Sequence, residues 1–168
     1  MRRSPRAWPW ALGGLTLGAD QLTKHLIATA FAPAQTLPLL PPILHLTYVQ
    51  NTGAAFGLFK GQQLLFVLLS VGVIIWMARR LLRPSSDGSL ALASCGLILG
   101  GAAGNLIDRV WLGYVVDFID LRVWPVFNIA DSAITIGNGL LQWHSLRQRH
   151  SPREDHDEST KHQIPSTK

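Results

Sequence analysis

Long apolar stretches, rather than short alternating ones, dominate the hydrophobic pattern of this chain. Four blocks stand out, at about 8–28, 63–78, 89–107 and 128–146, and each is closed by basic or turn-forming residues. A helix needs about 20 mostly apolar residues to cross a hydrocarbon layer of about 30 Å. The second block is free of charge, and the third is uncharged up to Asp108 and rich in Gly, Ala and Ser, which lets helix backbones approach closely. The first contains Asp20 and Lys24; the fourth, the weakest by hydropathy, contains Asp131, Asn138, Gln142 and His144. The pattern predicts four membrane-spanning helices.

Between the blocks the pattern changes. Pro33, Pro38, Pro41 and Pro42 exclude a helix in the first long connection. The stretch from His45 to Gln50 alternates like a half-buried strand, and 115–123 has similar β-branched character. A small sheet resting on the membrane surface is expected. After about residue 146 the chain is polar and of mixed charge, which predicts a disordered tail at 147–168 following a single domain at 1–146.

Composition supports lipid as the solvent. Charged residues make up 15% of 168, against about 25% in an average soluble domain. Nine of the 25 lie after residue 146, and the first 146 contain no glutamate. The net charge of +5 falls in small clusters between apolar runs, the pattern of topology signals and not of nucleic-acid binding. Arg2, Arg3 and Arg6, then Arg79, Arg80 and Arg83, then Arg147, Arg149 and Arg153 border one side of the spans, against Lys60, Arg109 and Arg122 on the other. That asymmetry places both termini in the cytoplasm and the connections at about 29–62 and 108–127 outside. A cleavable leader ending near Ala28-Thr29-Ala30 is the rival reading, but Asp20 and Lys24 interrupt its apolar region. The single Cys95 excludes an intramolecular disulfide and a cysteine-based zinc site.

Ionisable residues at membrane depth are costly and mark candidate sites. Asp20 and Lys24, spaced i, i+4, share a helix face and form either a structural ion pair or part of a site. Asn105, Asp108 and Arg109 close the third span, where a helix-end polar cluster is the plain reading and Asp108 has loop arginines within reach. Asn51 and Gly53 begin an Asn51-Thr52-Gly53-Ala54-Ala55-Phe56-Gly57 stretch that suits either an ordinary loop or contact with an extended peptide. Asp117 is flanked by Val116 and Phe118, so desolvation should raise its pKa. Asn128 reads as the N-cap of the fourth span, with Asp131 three residues later near the positive end of the helix dipole. Asp117 and Asp131 are therefore either an acid–base pair or structural partners of Arg109 and Arg122. Asp87 lies in a turn and Asp120 is left between pairing with Arg122 and solvation.

Five of these clusters, Asp20-Gln21-Leu22-Thr23-Lys24, Asn51 to Gly57, Gly104-Asn105-Leu106-Ile107-Asp108-Arg109, Val115-Val116-Asp117-Phe118 and Phe127-Asn128-Ile129-Ala130-Asp131, resemble in order and spacing the bacterial lipoprotein signal peptidase family (signal peptidase II). The resemblance covers about 8–146. It implies an all-α integral membrane protein of the inner membrane with four transmembrane helices and a small extracytoplasmic β cradle. The implied activity is an intramembrane aspartyl endopeptidase that cleaves prolipoproteins just before a diacylglyceryl-modified cysteine. Asp117 and Asp131 would be the catalytic pair, with Asp20, Lys24, Asn51, Gly53, Asn105, Asp108, Arg109 and Asn128 ordering the site and binding substrate. The implied partners are the lipidated precursor and membrane lipids, and neither a metal nor another cofactor is implied. From the dipole argument, Asp131 is the base and Asp117 the acid. A rhomboid-like serine enzyme, a zinc enzyme needing His-Glu-x-x-His and a presenilin-like Gly-x-Gly-Asp enzyme lack their motifs here. The alternative from another class is a small proton- or cation-coupled transporter using the intramembrane carboxylates.

Overall fold

The computed structural model describes residues 7–53, 61–83 and 87–149. Residues 54–57 of the second motif, Lys60, Arg2, Arg3, Arg6 and the expected tail from 150 on lie outside the described residues. The element order is α1 (Trp8–Ala30), β1 (Thr36–Leu40), β2 (Leu44–Asn51), α2 (Gln63–Leu82), α3 (Ser89–Trp111), β3 (Val115–Asp120) and α4 (Ile129–Arg149). The chain is mostly helical, with one antiparallel sheet in the order β1-β2-β3.

Each apolar block becomes a helix, longer than its apolar core. α2 runs on to Leu82 because Arg79 and Arg80 suit the negative end of a helix dipole. α4 takes in residues 147–149 of the expected tail, where Arg147 stacks on Trp143 one turn back, 5.3 Å from the ring centre. α2 and α3 are long and apolar enough to cross a membrane, with mean hydropathies of 2.0 and 1.8.

α3 is the central helix: α1, α2 and α4 all pack on it, and α1 also touches α4. Small residues make this possible. A Cβ at Gly96 would lie 2.5 Å from the Pro9 carbonyl on α1, and one at Gly101 2.5 Å from the Ala130 carbonyl on α4. α1 is arranged inside out relative to a helix of a soluble protein. Its buried stripe is Pro9, Gly13, Thr16, Asp20, Lys24 and Ile27, while Leu15, Leu22 and Leu26 face outward.

The sheet forms where the prolines and β-branched residues exclude helix. β2 extends the predicted strand by one residue at each end. Its burial does not alternate strictly, because its register with β3 shifts between Leu46 and Val49. Such a bulge adds a residue to one strand and re-aims the side chains beyond it. Past the bulge, Val49 pairs with Asp117 and Asn51 with Val115, so Asn51 and Asp117 share a face as diagonal neighbours. β3 ends at Asp120, short of the expected 123, since Arg122 turns the chain with φ of 64°. Ile119 then bridges Phe127, which brings the chain back beside β3 before α4 begins.

Candidate active site

Asp117 on β3 and Asp131 in the first turn of α4 line one cavity of about 320 Å³. Asn51, Gly53, Asn105 and Arg109 share its wall, and Phe66 of α2 with Ile134 and Thr135 of α4 complete one side. The loop-to-helix turn between the aspartates is held by a capping box. Asn128 Oδ1 accepts from the Asp131 N–H at 2.9 Å, and the Asn128 N–H donates to Asp131 Oδ2 at 3.3 Å. The sequence reading of Asn128 as an N-cap is thus realised.

Three amides touch the two carboxylates, and obligatory partners fix the direction of each. The Gly53 N–H donates to Asn51 Oδ1 at 3.0 Å, which turns Asn51 Nδ2 toward Asp117 Oδ2 at 2.9 Å. Because Asn128 Oδ1 is taken by the helix cap, its Nδ2 faces Asp117 Oδ1 at 2.7 Å. The Lys24 ammonium can only donate, and it donates to Asn105 Oδ1 at 2.9 Å. Asn105 Nδ2 must then point the other way, to Asp131 Oδ1 at 2.8 Å. Asn128 Nδ2 also reaches Asn105 Oδ1 at 3.2 Å, so the two supporting amides form a directed chain between the aspartates.

A buried ionic cluster lies behind this chain. Lys24 Nζ lies 2.8 Å from Asp20 Oδ2 and 3.0 Å from Asp108 Oδ2, and all three side chains are almost fully buried. Its three protons thus have three acceptors. The other oxygen of Asp20 accepts from the Ala130 N–H at 2.8 Å, one of the unpaired donors at the start of α4. Asp108 accepts from the Val116 N–H at 3.0 Å and from Gln21 Nε2 at 3.0 Å. α1, α3, β3 and α4 are all tied to this cluster.

Several expectations change here. Asp108 pairs with Lys24 and not with a loop arginine, because the α1–α3 crossing brings Lys24 closer. Arg122 lies 3.6 Å from Asp120 rather than beside Asp117 or Asp131. Burial alone would raise Asp120, but the Thr47 hydroxyl at 2.7 Å, the Arg122 N–H and the guanidinium outweigh it and hold its carboxyl below the ordinary range. Arg109 forms no ion pair among the described residues. Its guanidinium lies 5.0 Å over the Phe66 ring and donates to the Asn105 carbonyl at 3.3 Å. Asp87 is more than a turn residue, since it holds Arg80 at 3.2 Å.

Sequence reasoning missed Gln21, Gln63 and Phe66. Gln21 carried the same signal as Asp20, a polar group inside an apolar span, and it bridges Asp20, Asp108 and the Gly104 carbonyl. Gln63 Nε2 caps the Arg109 carbonyl, and neither it nor Phe66 had any chemical mark in the sequence.

Burial of Asp117, reinforced by the nearby Asp131 charge, pushes its pKa up from 3.8 to about 7. This is the direction its apolar flanks suggest. Asn128 contributes to both cap and site, and the two can be separated. Asn128→Ser keeps a capping oxygen and Asn128→Ala does not, so the alanine variant should be less stable by about 1 kcal/mol in thermal unfolding. Either change should remove the hydrogen bond to Asp117.

Comparison with known proteins identifies the family. The family model described as Signal peptidase (SPase) II matches residues 12–147. A lipoprotein signal peptidase of Moorella thermoacetica is 52% identical over 134 residues, 79% of this chain and 88% of the relative. One of Nostoc sp. is 47% identical over 151 residues, covering 86% and 95%. A bacterial membrane enzyme solved by the in meso method superposes with a TM-score of 0.83 at 30% identity, covering 89% of this chain and 94% of that one. The chain belongs to the signal peptidase II family of lipoprotein signal peptidases.

Proposed function

We propose that the chain is a four-span enzyme of the bacterial inner membrane. In this reading Asp117 and Asp131, at its extracytoplasmic face, cut prolipoproteins just before a diacylglyceryl-modified cysteine. The single observation that carries the catalytic assignment is the cavity shared by two carboxylates, one in a strand and one at a helix start, aligned by amides of fixed direction.

Support for four spans comes from where the apolar side chains face. α1 turns Leu15, Leu22 and Leu26 outward and its polar stripe inward, as lipid requires. α4 exposes Ile136, Trp143 and Leu146. Exposed tryptophans fall into two groups that fit interfacial belts: Trp8, Trp76 and Trp143 toward the ends bordered by the arginine clusters, and Trp111 and Trp124 toward the sheet. The arginine count supports cytoplasmic termini and an extracytoplasmic sheet.

The mechanism follows from two close carboxylates sharing one proton. Asp117 holds it near neutrality and donates to the scissile carbonyl oxygen. Asp131, held by Asn105 and the Asn128 N–H, takes a proton from water as the water attacks. Arg109 faces the cavity over Phe66, where the guanidinium N–H groups not donated to the Asn105 carbonyl suit a substrate carbonyl. α2 packs chiefly on α3, so the cavity wall between Phe66 of α2 and Ile134 and Thr135 of α4 offers a lateral path from lipid for a lipidated helix. The intramembrane acids serve this site together and supply no polar steps through the inner half of the bundle, which disfavours the transporter.

The acid must be protonated to act, and its folded pKa is about 7. Cleavage rate should therefore fall as pH rises through about 7, by about tenfold per unit beyond it. A pH series of initial rates checks this. The function itself is tested by incubating the purified protein with a diacylglyceryl-modified precursor and with the unmodified precursor. Cleavage of the lipidated form alone, before the modified cysteine, is expected; no cleavage of either would contradict the reading.

A further inference from the structure

A second cavity, of about 640 Å³, lies along the opposite half of α2, away from the aspartates. Gly72, Ile75, Trp76, Arg79, Arg80 and Arg83 line it, at spacings that place them on one helix face over about 16 Å of axis. The face changes character along its length. The half nearer the helix centre is apolar, with Trp76 58% exposed, and a Cβ at Gly72 would meet nothing within 4 Å. The end is cationic. Asp87 neutralises Arg80 at 3.2 Å, while Arg79 and Arg83, both exposed, form no ion pair among the described residues.

We propose that this groove binds one anionic phospholipid, its phosphate between Arg79 and Arg83 and an acyl chain along Ile75 and Trp76 into the hollow at Gly72. An apolar channel ending in two guanidiniums with no ion pair among the described residues fits a molecule with a hydrocarbon chain and an anionic head, and guanidinium binds phosphate oxygens in a fork. Basic pockets on the cytoplasmic side of helices favour such head groups. A substrate leader fits poorly, because its basic leading segment would meet like charge. The site touches neither dyad aspartate and takes no part in cleavage; it relies only on α2 spanning the membrane.

Native mass spectrometry of the full-length protein in detergent tests this, with equimolar phosphatidylglycerol and phosphatidylcholine as probes. The wild type should retain one phosphatidylglycerol in preference to phosphatidylcholine. Arg79→Gln with Arg83→Gln should reduce that preference by about fivefold per arginine, about 25-fold together. Gly72→Leu should weaken retention of phosphatidylglycerol by filling the hollow, with the arginines intact. Cleavage of lipidated precursor in phosphatidylcholine micelles should be unchanged in all three proteins, which shows that each is folded. Equal retention of the two lipids, an unchanged preference in the double variant, or release of the lipid by millimolar inorganic phosphate or by a basic leader peptide would each overturn the proposal.

Discussion

Asp117→Asn and Asp131→Asn are each expected to slow cleavage of a lipidated precursor by about 10²- to 10⁴-fold, the range for losing a general acid or base. Both proteins should remain folded in the membrane. Asparagine is nearly the same size as aspartate, so the loss isolates proton transfer from shape. Asp117→Asn should also change stability in a definite direction. The folded pKa of Asp117, about 7, lies above its ordinary value of 3.8. The native state therefore holds a proton that the unfolded chain has released between those values. The resulting stability is fully present below about pH 4 and is lost as pH rises through about 7. Asparagine at 117 cannot ionise, so melting temperatures should fall less steeply from pH 5 to 8 in Asp117→Asn than in the wild type. Equal slopes would mean that Asp117 does not hold the proton.

Lys24→Met should be the most destabilising single change among the polar site residues. It leaves Asp20 and Asp108 without the cation that lies 2.8 and 3.0 Å from them, both buried. Breaking a buried pair by removing one partner costs about 3–5 kcal/mol. At about 2–4 °C per kcal/mol for a chain of this size, the melting temperature should drop on the order of 10 °C. A second effect reaches the dyad. Without the ammonium, only the longer hydrogen bond from Asn128 Nδ2, at 3.2 Å, holds the Asn105 oxygen in place, and Asp131 can lose its Nδ2 donor. Adding Asp20→Asn to Lys24→Met removes one stranded charge and should recover part of the stability. A double variant less stable than the sum of the single changes would contradict the ionic account.

Much of this architecture was legible because lipid imposes simple rules. Uncharged runs became α2 and α3, and Asp20, Asp108, Asp117 and Asp131 converge on the candidate site, while Asp87 and Asp120 pair elsewhere. The N-cap at Asn128 could be read because capping is local, an asparagine with its partner three residues on. Contacts across the fold could not be read the same way. The pairing of Asp108 with Lys24 depends on the angle at which α1 crosses α3, and no spacing along the chain encodes that angle. β1 escaped notice for a different reason. Its five residues are all exposed, so Thr36–Leu40 shows no alternation, and Pro38 marked it only as non-helical. Likewise the bulge that brings Asn51 beside Asp117 comes from the pairing of β2 with β3, and Phe66 acquires a role only because Arg109 lies over it.

Most directly, the account can be tested by carbon-13 NMR of the aspartate carboxyl groups, titrated from pH 5 to 9 in the wild type and in Asp117→Asn. A carboxyl resonance that titrates at about 7, disappears in Asp117→Asn and follows the same midpoint as the loss of cleavage is the predicted result. A wild-type protein with no carboxyl titrating in that range, or one whose titration survives in Asp117→Asn, would contradict the assignment of the shared proton to Asp117.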